Sequence, residues 1–468
     1  MKKRLFVLLP ALALLAGSLI SCEDDKIRIE IGLDDAAWIT AVQEYFDENP
    51  VREDIKVVVV EQGASGAADK ITTDKDAMPD IQLVIDGEVS RNYDSLATPN
   101  SATIDRAKAN TVESYLKGGN VGDQVKYVPI TYDGMAFSWN KTMLEAIGIS
   151  TEDANGDNLP DAIDTWEEIF AITKGWYENP ETRPSYNGNK VLSFFPMSLG
   201  EVWSAYSSLT AGGWQIFESG NPVEPGFDDP RFAEGLEFIA NAALNYLDVV
   251  EGEDEILLKG GADMGWRWDD YLVSEKSPTG LVGTWQNVAE AEENTESDFK
   301  FSKMPTWKGN QLTPFLKTKG FVINGYSKNL EEAKLVFDRV YSQEFMTVMV
   351  NSSSNIPVLK DDSEIKVTLP TSNAVEMEAA FSGNHPEPQF MLPENPSVKA
   401  MDAVYYYDDS KLQEVLKRAW DEAHEAHAKI GEDTEPWDAW LEELVAQHIA
   451  VAEKGLAEMN KAPGSLKS

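Results

Sequence analysis

Between residues 26 and 85 the chain alternates between two hydrophobic periods, and this alternation restricts it to a narrow set of folds. Ile27, Ile29 and Ile31 recur at every second residue with charged partners between them, which predicts a half-buried strand over 26–33. Apolar residues over 36–46 fall at helical spacing. Ile55-Lys-Val-Val-Val-Val60 reads as a strand buried on both faces, and 78–85 as a third strand. Strand, helix, strand, helix, strand predicts an α/β fold with a largely parallel sheet. Ligands of such sheets bind beyond the carboxyl ends of the strands, here beside Asp34, Asp35 and Trp38, then Glu61, Gln62 and Ser65, then Asp86.

A second stretch, Val128-Pro-Ile-Thr-Tyr-Asp-Gly-Met-Ala-Phe-Ser-Trp-Asn-Lys141, reads as an extended crossing with a polar kink, because Pro129 fixes one φ and Gly134 frees another. Its functional reading is a crossover between two lobes with Tyr132 and Asp133 facing the cleft. Its plain reading is an ordinary strand with a surface Tyr-Asp pair. A chain of 468 residues needs two or three cores, and with no long low-complexity linker the lobes must be joined by short crossings. Further on, a helix is expected over 140–147, and Thr165-Trp-Glu-Glu168 is a capping box that launches another. Helical spacing returns over 203–209 and 232–247, and buried-type strands over 280–285 and 320–324. A helix capped at Asn329 is expected to run to about 349, and the tail reads as helical from 410 and again from 437.

The charge balance excludes some partners. Eighty acidic residues against 40 basic ones, a net −40, repel phosphate backbones and anionic headgroups, so no nucleic-acid partner is expected. The N-terminus offers another route to a membrane. Met-Lys-Lys-Arg precedes an apolar run over 5–20, too short for a comfortable spanning helix, which reads as a secretory signal. It ends at Leu19-Ile-Ser-Cys22, the only cysteine, and this resembles a lipobox, although Ile20 is bulkier than usual there. The resemblance implies a signal over 1–21, cleavage before Cys22 and lipid anchoring at its thiol and new amino terminus.

One acidic loop has a spacing of its own. Asp153, Asn155, Asp157, Asp161 and Asp164 occupy positions one, three, five, nine and twelve of a calcium-loop pattern, with the Leu159 carbonyl at seven. Gly156 stands at position four rather than six and the last residue is Asp rather than Glu, so a structural calcium site and a plain acidic turn both remain open. No Gly-rich phosphate loop, nucleophile elbow or Cys/His cluster is present, and no cofactor is required by any motif.

Taken in order, several segments resemble the sugar-specific bacterial extracellular solute-binding proteins, the maltose-binding-protein-like subunits that feed ABC importers. Pro79-Asp-Ile-Gln-Leu-Val-Ile-Asp86 resembles a strand ending in a ligand-binding acid, and the stretch from Pro129 to Lys141 the first hinge, with Asp133 at a ligand-contacting position. Gly200-Glu-Val-Trp203 through Ala211-Gly-Gly-Trp214 resembles a sugar-lining segment, Gly283-Thr-Trp285 a strand-end stacking aromatic, and Pro314-Phe-Leu-Lys-Thr-Lys-Gly-Phe-Val-Ile-Asn324 the return hinge strand. The tail beyond about 361 is longer than usual, and Tyr405-Tyr-Tyr407 only loosely replaces the last stacking aromatic.

The resemblance implies a two-lobed, periplasmic-binding-protein-like α/β fold of type II, each lobe a mixed, mostly parallel sheet flanked by helices, with a helical tail. It divides the chain into one lobe over 22–132 and 308–355 and another over 133–307 and 356–468. It implies a monomer that is not an enzyme, binds a carbohydrate through Asp34, Asp35, Trp38, Asp86, Tyr132, Asp133, Glu201, Trp203 and Trp285, and meets permease subunits at the outer face of the cell membrane. The chemistry is apt, since aromatic planes cover the apolar faces of a sugar and carboxylates accept from its hydroxyls. A polyamine-binding protein of the same fold and a secreted glycoside hydrolase are the rival readings, because acids beside aromatics serve those ligands too.

Overall fold

A computed structural model of the chain describes residues 26–381, except 121–123, 197–201, 216–228, 244–247, 250–255, 258–267, 315 and 354, together with scattered positions between 415 and 454. The N-terminal alternation becomes β1 (Ile27–Leu33), α1 (Ala36–Glu48), β2 (Ile55–Glu61) and β3 (Ile81–Ile85). Strand β1 lies between β2 and β3 and is parallel to both. Helix α1 starts where the Asp35 carboxylate accepts the backbone N–H groups of Ala37 and Trp38. It buries Trp38, Val42, Tyr45 and Phe46, a single face at helical spacing. The Val57–Val60 run is apolar, yet β2 is the edge strand of the sheet, so Lys56 is exposed and 58–60 are only partly covered. Burial on both faces therefore does not extend to β2.

The element that organises the molecule is β4 (Tyr127–Asn140), every residue of which is buried. Its second half is flanked by two antiparallel strands, β5 (Thr279–Gly283) and β6 (Phe299–Ser302). Its first half pairs with β7 (Leu316–Asn324) and with the short β8 (Ile356–Pro357), again antiparallel. Strand β7 then pairs with β3, so all of these strands belong to one nine-stranded sheet, and its parallel part is confined to β1, β2 and β3. The kink foreseen at Pro129 is a bulge: Lys319 opposes Thr131 while Gly320 opposes Pro129, leaving Ile130 as the extra residue. Gly320 makes this approach possible, because a Cβ there would lie 2.4 Å from the Val128 carbonyl oxygen and 2.6 Å from the Pro129 Cα.

Separate cores form on either side of this seam. One gathers Ile29, Ile31, Trp38, Val42, Phe46, Val128, Ile130, Phe321 and Phe345. Another gathers Tyr115, Tyr132, Ala136, Trp268, Phe299, Leu316 and Phe381. A third aromatic group joins Phe137 and Phe195 to Trp166, which begins α2 (Trp166–Glu178) and meets Phe238 edge-on at 4.9 Å. Thr165 caps α2 with the full reciprocal box to Glu168, as its sequence predicts. Helix α3 (Val288–Thr295) is capped by Asn287. The single helix expected after Asn329 is two, α4 (Leu330–Val340) and α5 (Gln343–Asn351), because the Ser342 side chain accepts from Phe345 N–H and starts the second. The last described helix, α6 (Ser372–Phe381), carries Phe381 onto the Tyr132 ring. Of the tail helices expected from 410 and 437, only scattered positions between 415 and 454 are described, and those are helical.

Candidate functional site

Beyond the carboxyl end of β1, where parallel-sheet geometry predicts a ligand, lies a cavity of about 500 Å³. Three stretches of chain far apart in sequence line it: Asp34, Asp35 and Trp38 from the β1–α1 turn, Thr284, Trp285, Gln286 and Asn287 from the β5–α3 turn, and Ser352, Ser353 and Asn355 between α5 and β8. Lys319 of β7 completes the wall. The β5–α3 turn is tied to β4, since Thr284 N–H donates to the Gly134 carbonyl at 3.0 Å and Gly134 N–H to Thr284 Oγ1 at 3.3 Å, and the β1–α1 turn reaches β4 through Lys319, which pairs with both Asp34 and Asp133. The cavity therefore sits at the point where the two neighbourhoods of β4 meet.

Among the described residues of the wall, Trp285 is the aromatic with an accessible surface, 36% exposed. Gly283 gives it room: a Cβ at 283 would lie 2.5 Å from the indole, so the ring folds back over bare backbone. Asn355 is 7% exposed, donates from Nδ2 to Ser353 Oγ at 2.9 Å, and keeps its buried Oδ1 without a partner. A buried acceptor left open carries a desolvation penalty that a hydroxyl from a ligand would remove. Lys319 Nζ stands 3.4 Å from Asp34 and 3.1 Å from Asp133, and 5.7 Å above the Trp38 ring. Burial alone would lower the lysine's affinity for its proton, but Asp133 and Asp34 outweigh it and hold the ammonium above its ordinary pKa. Asp133 moves up instead, because its burial outweighs the attraction of Lys319.

The residues marked in the sequence fall into four groups. Asp34, Asp35, Trp38 and Trp285 border the cavity, with Asp133 behind Lys319. Trp38 is corrected as a stacking platform: it is 1% exposed, its indole N–H donates to the Met349 carbonyl at 2.8 Å, and Lys319 lies over its ring. Tyr132 is also corrected. Strand side chains alternate, so it and Asp133 take opposite faces, and Tyr132 packs at 5.2 Å on Phe381 and 5.5 Å on Tyr115 in a core. Asp86 is buried away from the cavity wall, accepting from Thr318 N–H and Oγ1 and from Gly87 N–H; burial raises its pKa, and those donors oppose the rise. Trp203 lies on the helix Val202–Leu209, its side chain outside the described residues, as are Glu201 and Cys22 altogether.

Of the two readings left open for 153–164, the loop's own hydrogen bonds fit the plain acidic turn. Asp153 accepts from the N–H groups of Gly156, Asp157 and Asn158, Asp161 from Ala154, and Asp157 from Leu159, while Asn155 donates to Asp164. The side chains thus close an acidic turn, and no group of three or more residues able to hold a metal ion occurs among the described residues. Asp164 is pushed up to about 6 by burial and then by Asp157, Asp161, Glu168 and Asp153.

A family model described as bacterial extracellular solute-binding protein matches residues 40–380. Among solved structures, the maltodextrin binding protein of L. casei without ligand has a TM-score of 0.62 at 15% identity, covering 93% of this chain and 100% of that one. The maltose-binding periplasmic protein of Listeria monocytogenes, in complex with maltose, gives 0.57 at 16% identity and covers 93% and 99%. The extracellular solute-binding protein of Staphylococcus aureus in complex with maltose gives 0.57 at 15%, covering 92% and 96%. At these identities the likeness shows the two-lobed fold.

Proposed function

Because the chain belongs to the bacterial extracellular solute-binding proteins, we propose that it captures a neutral sugar or oligosaccharide in the cavity at the β4 seam and delivers it to the permease of an ABC importer. The observation that carries this reading is the composition of the cavity wall. Trp285 supplies an accessible aromatic surface from one turn, and Asn355, Ser352, Ser353 and Gln286 supply neutral hydrogen-bonding groups around it. A sugar ring has an apolar face for the indole and hydroxyls for the amides. Binding of this kind needs no cofactor and no bond making.

The lobes run over 22–132 with 308–355, and over 133–307 with 356–468, so the cavity draws on both: Asp34, Trp38 and Lys319 on one side, Thr284 to Asn287 on the other. A ligand touching both sides favours the closed arrangement, because only there does it gain both sets of contacts. Strand β4 and its pairings with β7 and β8 at 131–134 form the hinge. The mature chain begins at Cys22, whose acylation tethers it outside the cell membrane as a monomer. A thermal-shift screen of the full mature chain against neutral oligosaccharides tests the reading: a concentration-dependent rise in Tm with at least one of them is expected, and a flat response to all would reject it.

A further inference from the structure

The carboxylates expected to hold a ligand are already engaged by a cation belonging to the chain. Asp34 and Asp133 both lie against Lys319 Nζ, and the ring of Trp38 lies beneath it. Two acids and an aromatic plane around one ammonium are the features by which a protein recognises an organic amine. Here the amine is covalent. Its side chain is only 15% exposed, so it fills that subsite rather than reaching past it into solvent. Left on the cavity wall are the amides and hydroxyls of Gln286, Ser352, Ser353 and Asn355, with the open Asn355 Oδ1 among them, and Asp35, whose Oδ1 is taken up by the N–H groups of Ala37 and Trp38.

We infer that Lys319 is a specificity-determining residue: its ammonium occupies the place of a ligand amine, which closes the cavity to polyamines and leaves it selective for neutral hydroxyl-bearing molecules. This rests on the cavity being the ligand site proposed above. A free polyamine entering the wild-type cavity would meet Lys319 itself, at contact distance and in a partly water-excluded setting, where like charges repel strongly. Without that ammonium the same polyamine meets two uncompensated carboxylates. Specificity of this kind comes from a built-in repulsive element as much as from the attractive contacts.

The test is calorimetric titration of spermidine into wild-type chain, Lys319→Ala and Lys319→Arg, with neutral maltodextrins titrated in parallel. Wild type and Lys319→Arg are expected to give no saturable heat with spermidine at millimolar concentration, while Lys319→Ala binds it at least tenfold more tightly. Structural damage would not create a new amine site, so that gain separates selectivity from a merely structural role. If Lys319→Ala does not fold, the double variant Asp34→Asn with Lys319→Ala removes one charge of each sign and is expected to bind spermidine through Asp133. Failure of the folded variants to gain spermidine binding, while wild type still binds a saccharide, overturns the inference and leaves the transport reading standing. Wild type that binds spermidine and no saccharide overturns both.

Discussion

Trp38 and Trp285 border the same cavity, yet their environments assign them opposite jobs, and truncating each to alanine separates the two. Trp38 is 1% exposed and its indole N–H is bonded to the Met349 carbonyl at 2.8 Å. Removing so large a buried side chain costs roughly 3–5 kcal/mol, because the surrounding core of α1, α5 and β1 relaxes only partly. The orphaned carbonyl adds about 1 kcal/mol. Trp285 is 36% exposed and lies beside open space, so water fills the site and the cavity penalty disappears. Its truncation should cost about 1–2 kcal/mol of stability on area grounds. Binding reverses the order. If a ligand covers the exposed third of an indole of about 250 Å², it buries roughly 90 Å² more, or about 2 kcal/mol, close to thirtyfold in Kd. Urea unfolding followed by circular dichroism gives the stabilities, and titration of the best saccharide gives the affinities. Trp285→Ala as destabilising as Trp38→Ala, or equal in affinity to wild type, would refute the division of roles.

Three other outcomes follow from separate parts of the fold. Gly320→Ala should destabilise by about 1–3 kcal/mol in urea unfolding, because a new Cβ meets backbone that cannot swing aside; a neutral effect would mean the bulge at Ile130 is not rigid. Thr165→Ala should cost about 1 kcal/mol by removing the acceptor for Glu168 N–H, and an unchanged urea midpoint would show that the capping box contributes nothing. Asp164→Asn should gain stability over wild type as pH rises from 4 to 7. The folded pKa of about 6 exceeds the ordinary 3.8, so the folded wild type holds this proton more tightly and loses stability as pH passes through that window. Solvent screening keeps the gain modest, and a difference in Tm that stays constant across the window would contradict it.

The fold was largely legible because its signals are local. The period-two isoleucines of β1, the helical face of α1 and the capping box at Thr165 each depend on residues within a few positions of one another. Coverage at a sheet edge, by contrast, is decided by neighbours in space. Val57 to Val60 look fully buried by composition, but the position of β2 at the sheet edge leaves 58–60 only partly covered. Trp38 continues the buried face of α1 at the spacing of Val42 and Tyr45, a cue that ranks it with the core despite its place at a strand end. Tyr132 and Asp133 are consecutive on a strand, so strand alternation alone rules out both facing one cleft.

The site was less legible for the same reason. Lys319 stands in a segment readable only as a return strand, and its partners Asp34 and Asp133 lie far away in sequence. Asn355 sits in a polar run whose composition resembles any loop, and only its burial and open Oδ1 distinguish it. Gly283-Thr-Trp285 was marked through its resemblance to a strand-end stacking aromatic, and Trp285 does line the cavity.

The central claim is that one small molecule is held by groups from both sides of the β4 seam. Its most direct measurement is calorimetric titration of a neutral oligosaccharide into wild type, Trp285→Ala and Asn355→Ala, which remove one contact from each side. Single-site binding in wild type, weakened at least tenfold by each substitution, is the predicted result. Binding that survives both substitutions unchanged would place the ligand elsewhere and contradict the account.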